Sequence, residues 1–217
     1  MKAQTHDFMD GKGPVPAHRH IKGEGWVADT AHVDKSAHIG PDAQVFGDAL
    51  VFGDALVFGD AWVSGDARVS GDAWVSGNAR VFGDARVSGD AWVSGDAWVS
   101  GDAWVSGNAR VFGDARIAGD AWVSGDAWVS GDAWVIGDAR VSGDAQVNRG
   151  MYAYTPISIT RSDGYTFTLQ SDGSIVAGCR DFTPDEAKAH WGNNEHHKHR
   201  ESMAIISAFN AIQTARS

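Results

Sequence analysis

The chain has 217 residues, a formal net charge of −10, 27 glycines and one cysteine, Cys179. A lone cysteine excludes an intramolecular disulfide, and no stretch approaches the roughly 20 apolar residues of a membrane-spanning helix. The expectation is a cytoplasmic protein without a membrane partner, whose acidity argues against nucleic acid, although most of the acid sits at one repeating slot.

Residues 1–22 read as an N-terminal arm or cap without the apolar core of a secretory signal. Over 23–148 an aliphatic residue recurs at every sixth position, from Val27 and Val33 through Ile39 to Val141 and Val147, 21 hexads without an insertion. Two residues before each anchor stands a small residue, almost always Ala; three before, Asp or Asn from Asp42 onward; four before, Gly through nearly the whole run. Neither a 3.6-residue period nor a long alternating strand fits this pattern. In a short strand alternate side chains share a face, so Ala49 and Val51 point one way and Leu50 and Phe52 the other. The Gly-Asp pair supplies a bend, Gly by allowing positive φ and Asp by bonding to turn backbone. Strand and bend in alternation make a solenoid, in which a rung buries its apolar face only against its neighbours.

After Val147 the period stops. Residues 149–217 predict a small α+β domain: a three-stranded antiparallel meander at 157–160, 166–170 and 174–178, with turns at Asp163-Gly164 and Asp172-Gly173. Thr183 and Glu186 form a capping box, Pro184 takes the first helical position, and the helix is expected to end at Gly192. A second helix over about 195–214 places Ile205, Phe209 and Ile212 on one face. This domain would cover the last rung, otherwise an open sheet edge.

Written from the anchor, "VSGDAW" resembles the hexapeptide repeat of the left-handed parallel β-helix family. The resemblance implies a triangular prism of three hexads per coil, hence seven coils, about 34 Å long at the usual strand spacing. It also implies the left hand and a parallel homotrimer. The opening "VPAHRHIKGEGWVADTAHVDKSAHIGPDAQVFGDA", the "GDAxV" core and the tail "SDGSIVAGCRDFTPDEAKAHWGNNEH" together resemble hexapeptide-repeat proteins encoded by tailed phages and prophages, a group without one common function.

Three hexads per coil make every eighteenth residue a vertical neighbour. The slot before the anchor then reads Trp26, Gln44, Trp62, Arg80, Trp98, Arg116, Trp134 on the first face. It reads His32, Leu50, Arg68, Arg86, Trp104, Trp122, Arg140 on the second, and His38, Leu56, Trp74, Trp92, Arg110, Trp128, Gln146 on the third. All should point outward, and all but one of the ten Trp residues lie here. Three readings stand: indole and guanidinium groups stacking on each other, contact with another chain, or a surface for small ligands, where Arg68, Arg86, Arg80 and Arg116 could hold an anion such as a nucleotide signal. The slot after the anchor distributes bulk: Phe82 and Phe112 accompany Arg80 and Arg110, whereas Ser usually accompanies Trp. The Asp columns, such as Asp48, Asp66, Asp84, Asp102, Asp120 and Asp138, read as turn formers, with a calcium ladder as the alternative.

Hexapeptide acyltransferases rely on a His general base, but this chain has no His between His38 and His190, which leaves His18, His20 and His38 for a divergent enzyme. His196, His197 and His199 are weak metal candidates, Cys179 follows a strand without a base at useful spacing, and no cofactor motif is present. The sequence therefore points to a non-catalytic scaffold, a homotrimer displaying Trp/Arg columns to a phage or host partner. The alternatives are a sponge for small anionic ligands and a divergent acyltransferase.

Overall fold

A computed structural model describes residues 4–152, 156–178, 180–192 and 198–216. Each hexad gives a two-residue strand, such as Arg80–Val81 and Trp98–Val99, followed by a bend. Strands eighteen residues apart pair in parallel, Arg80 with Trp98 and Val81 with Val99. Amides at both ends of a strand donate to the next coil: Trp62 N reaches Ala79 O at 2.9 Å and Ser64 N reaches Val81 O at 2.9 Å. The chain is mainly β, a solenoid of about seven turns with three parallel stacks. The second and third stacks have seven strands each, and the first belongs to a ten-stranded sheet.

The anchor and the Ala two residues before it line the interior from Ala43 to Val141 at 0 % exposure. Burial of each Val contributes roughly 1.5–3 kcal/mol, and the repetition of one small and one branched residue keeps the core a uniform file. Corners set the coil spacing. Gly95 has φ +71°, and a Cβ there would stand 2.8 Å from the backbone nitrogen of Gly113. Glycine is required by conformation and by the approach of the next coil.

Both ends are closed. Strand Val15–Arg19 turns back antiparallel onto Trp26–Ala28, with Thr5–His6 outside it. Phe8 is buried beneath this hairpin with Ala17, Ala28 and Phe46. At the other end, Met151–Tyr152 adds a further strand beneath Trp134–Val135. The last rung of the third stack is closed by side chains. Thr168 Oγ1 accepts from Gln146 N at 3.1 Å, Gln170 Oε1 accepts from Asn148 N at 3.3 Å, and Gln170 Nε2 donates to Gln146 O at 2.8 Å. Polar side chains of a neighbouring sheet thus satisfy backbone groups that a further coil would otherwise meet.

The C-terminal sheet has four antiparallel strands, not three: Ile157–Thr160, Thr166–Leu169, Ile175–Ala177 and Arg180–Phe182. The fourth pairs Ile175 with Phe182 and Ala177 with Arg180, after a reversal at Gly178, whose φ is +62°. Helix α1 (Pro184–Trp191) has the expected Thr183–Glu186 capping box and ends at Gly192 in right-handed geometry, φ −72°. Helix α2 spans His199–Arg216. Ile205, Ile206 and Phe209 are buried against Phe167, Ile175 and Trp191, with Ile212 at the margin. Cys179, His196 and His197 lie outside the described residues. No helix among the described residues is long and apolar enough to cross a membrane.

Candidate binding surface: three unequal faces and a terminal cleft

Parallel register brings the outward residues into the three columns read from the period, but the faces differ in how far their groups partner each other. The first is a closed ladder. Arg80 lies 4.8 Å from the Trp62 ring and 5.4 Å from Trp98; Arg116 lies 5.2 Å from Trp98 and 4.7 Å from Trp134. Its top is capped by His6, stacked on Trp26 at 4.3 Å, and by Arg19, 4.1 Å from the same ring. Each guanidinium–indole contact contributes about 0.5–2 kcal/mol according to burial, so this face stabilises the solenoid itself.

On the second face, Arg68 and Arg86 are neighbours in register, and both are exposed. Among the described residues neither has a ring or carboxylate partner, unlike Arg140, which sits 5.1 Å from the Trp122 ring. Arg68 stands between Leu50 and Arg86, with no ring beside it in the column; for Arg86 the reason lies in Trp104. Its Nε1 donates to Ser88 Oγ at 3.2 Å and its ring meets Trp122 edge-on at 4.9 Å, which engages the indole away from Arg86.

The third face carries three exposed indoles, where the second has Trp122 at 41 % and the first Trp134 at 37 %. Trp74 and Trp92 are each 40 % exposed and Trp128 41 %. Trp74 meets Trp92 edge-on at 5.4 Å, and Arg110 lies 5.1 Å from the Trp128 ring. Trp92, Ser94, Arg110, Phe112 and Trp128 enclose a shallow groove of about 260 Å³. Phe112 and Trp128 also line a cleft of about 460 Å³ against the C-terminal unit, so groove and cleft share a wall.

A contact that the columns did not reveal runs diagonally between successive coils of one stack. Phe46, Phe58, Phe82 and Phe112 each meet, edge-on, the Trp sixteen residues later, with centroids 5.8 to 5.9 Å apart. An indole one coil below an Arg-x-Phe hexad thus receives the guanidinium from its own column and the phenyl edge from the adjacent corner. This gives the pairing of Arg with Phe its physical reason.

The corner carboxylates are thinned by amides in two of the three columns. Asn78 Nδ2 donates to Asp96 Oδ1 at 2.8 Å, and Asn108 Nδ2 to Asp126 Oδ1 at 2.9 Å. Each Asn replaces one like-charge contact by a hydrogen bond. No group of three His, Cys, Asp or Glu side chains placed to hold a metal occurs among the described residues.

The histidines are engaged locally. His18 Nδ1 is 2.9 Å from Asp29 Oδ1 at the surface. His20 is buried, its two ring nitrogens 3.1 Å from the carbonyl oxygens of Lys22 and Asp34. His38 is exposed, and His199 Nδ1 lies 2.7 Å from Trp191 O at the start of α2.

Residues 61–77, 73–89, 79–95, 85–101 and 109–125 match a family model described as YdcK beta solenoid repeat. No curated protein matches the chain. With the parallel stacks, these matches identify a β-solenoid repeat protein whose central coils are similar to the YdcK repeat.

Proposed function

We propose that the protein is a rigid, non-catalytic binding and assembly scaffold of the kind encoded by phages and prophages, with the third face as its recognition surface for a phage or host partner. The carrying observation is the inequality of the faces. The first stacks its cations and indoles on each other and exposes only Trp134 at its foot, whereas the third exposes Trp74, Trp92 and Trp128, the last two lining a groove that shares a wall with a cleft. Exposed Trp beside Arg is the composition of interface hot spots. The histidines support a scaffold rather than an acyltransferase, since His20 is tied to two carbonyls and no described residue lining the groove or the cleft is a His.

The homotrimer belongs to this reading, with the adjacent indoles Trp104 and Trp122 of the second face as the contact between copies. Light scattering tests it. Wild type is expected at the mass of three chains, Trp122→Lys at the mass of one, and Trp92→Lys unchanged. A monomeric wild type, or dissociation by Trp92→Lys alone, would overturn the assignment of faces.

A second reading rests on Arg68 and Arg86. Neighbouring like charges on adjacent strands repel, and an anion between them would relieve the repulsion. On this reading the second face takes a small anionic ligand such as a nucleotide signal. A panel of nucleotides should then raise the melting temperature, and Arg68→Gln with Arg86→Gln should abolish the rise. Absence of any stabilisation contradicts it.

A further inference from the structure

Below Trp128 the third face ends against the C-terminal unit, and the chemistry of the surface changes there. The upper wall of the 460 Å³ cleft is aromatic, formed by Phe112 and Trp128. The rest is mixed: the polar Ser130, Gln146, Asn148, Arg180 and Asp181 stand beside Val147, Val176 and Gly178. Gln146 follows Trp128 in register, so its amide stands one strand spacing, about 4.8 Å, along the column. Asn148 Nδ2 donates to Asp181 Oδ2 at 3.1 Å, and the same carboxylate oxygen pairs with Arg149. These contacts fix the amide, yet Asn148 Oδ1 is buried and has no hydrogen-bond partner among the described residues. Buried acceptors are nearly always satisfied, and one left without a donor marks an incomplete site.

We propose that this cleft binds a saccharide, with the C–H face of a pyranose ring on the Trp128 indole and its hydroxyls on Gln146, Asn148, Asp181 and Arg180. The assignment rests on the third face being a recognition surface and names its ligand class. A sugar ring carries an apolar face and a rim of groups that both donate and accept, which matches an indole bordered by amides, a carboxylate and a guanidinium. A hydrocarbon ligand would bury these polar groups unpaired. A nucleoside phosphate would meet the Asp181 carboxylate, with Arg180 as the one cation among the described lining residues. The groove adds room for further units. Trp92 and Trp128 are two strand spacings apart in one column, about 10 Å, close to the length of two linked pyranoses. The ligand is therefore an oligosaccharide lying along the column from the cleft toward Trp92.

The full chain, applied to an array of neutral and acidic oligosaccharides and then titrated calorimetrically with the strongest binder, tests this. Expected are binding to oligosaccharides above monosaccharides and an affinity loss of tenfold or more in Trp128→Ala. Arg180→Ala, at an exposed residue, should lose threefold or more, and Lys35→Ala in an exposed turn of the first coil should bind as wild type does. A silent array, equal affinity in Trp128→Ala, or tighter binding of nucleotides than of any glycan would overturn the proposal. A silent array with third-face indoles open to quencher removes the saccharide alone. Shielded indoles remove the face reading as well.

Discussion

Phe82 meets the ring of Trp98 edge-on, with centroids 5.8 Å apart and planes at 80°, while Arg80 approaches the same indole at 5.4 Å from the coil above. One hexad thus grips an indole of the next coil on two sides, and the same geometry recurs at Phe112, Arg110 and Trp128. Such aromatic pairs contribute about 0.5–1.5 kcal/mol beyond their buried area. Phe82→Ser should therefore lower stability by about 1–2 kcal/mol, read from the urea midpoint, and make Trp98 more accessible to quencher. An unchanged midpoint would mean that the diagonal contact carries no energy.

The corners predict a contrast between two glycines. Gly95 and Gly143 both have positive φ, but a Cβ on Gly95 would meet Gly113 backbone at 2.8 Å, whereas on Gly143 it would meet nothing within 4 Å. Gly143→Ala should cost about 1 kcal/mol from the left-handed conformation alone. Gly95→Ala should cost at least about 2 kcal/mol, because the neighbouring coil must shift. Thermal melts of the two variants check the difference, and equal losses would contradict close coil stacking as its cause.

Electrostatics at the corners is testable through salt. Asn78→Asp replaces the 2.8 Å hydrogen bond to Asp96 with a second carboxylate on the neighbouring strand. The loss should be under about 1 kcal/mol at low ionic strength and should shrink in roughly 0.5 M salt, where the screening length falls below about 5 Å. A loss independent of salt would point to the hydrogen bond rather than the charge.

Much of this architecture was legible from one period. Strict hexads fix both the face of each side chain and, at three per coil, its vertical neighbour, so the columns from Trp26 to Gln146 followed from counting. The diagonal Phe–Trp contacts did not, because they depend on how side chains lean across a face from one coil to the next. The strand Arg180–Phe182 was missed because "RDF" is short, charged and without alternation. The N-terminal hairpin was missed because its core joins Phe8 and Ala17 of a non-periodic arm to Ala28 and Phe46 of the first coils. The cleft beneath Trp128 exists only through the docking of two units whose separate sequence patterns do not refer to each other.

Acidification should loosen the two ends in order. His6 is held below its usual 6.5 by burial first and by Arg19 second. Glu201, which accepts from Ser162 N and Ser162 Oγ and pairs with Lys198, is lowered from 4.5 to about 2. Asp163 is lowered well below its usual value by its hydrogen bonds from Arg161. In all three the folded value lies below the unfolded one, so their contribution is present above the unfolded value and is lost as pH falls toward the folded one. NMR amide spectra should show the N-terminal hairpin responding first, below about pH 6.5, and the C-terminal unit below about pH 4.5. Glu201→Gln should blunt the second step. Simultaneous loss of hairpin, C-terminal unit and solenoid would contradict the assignment.

The central claim is that the third face is open while the first is closed upon itself, and acrylamide quenching of tryptophan fluorescence tests it most directly. Expected is a readily quenched population that shrinks in the combined Trp74→Phe, Trp92→Phe and Trp128→Phe variant, leaving at most Trp122 and Trp134, and that persists in full in Trp62→Phe with Trp98→Phe. Uniformly shielded indoles, or a quenched population unaffected by the third-face substitutions, would contradict it.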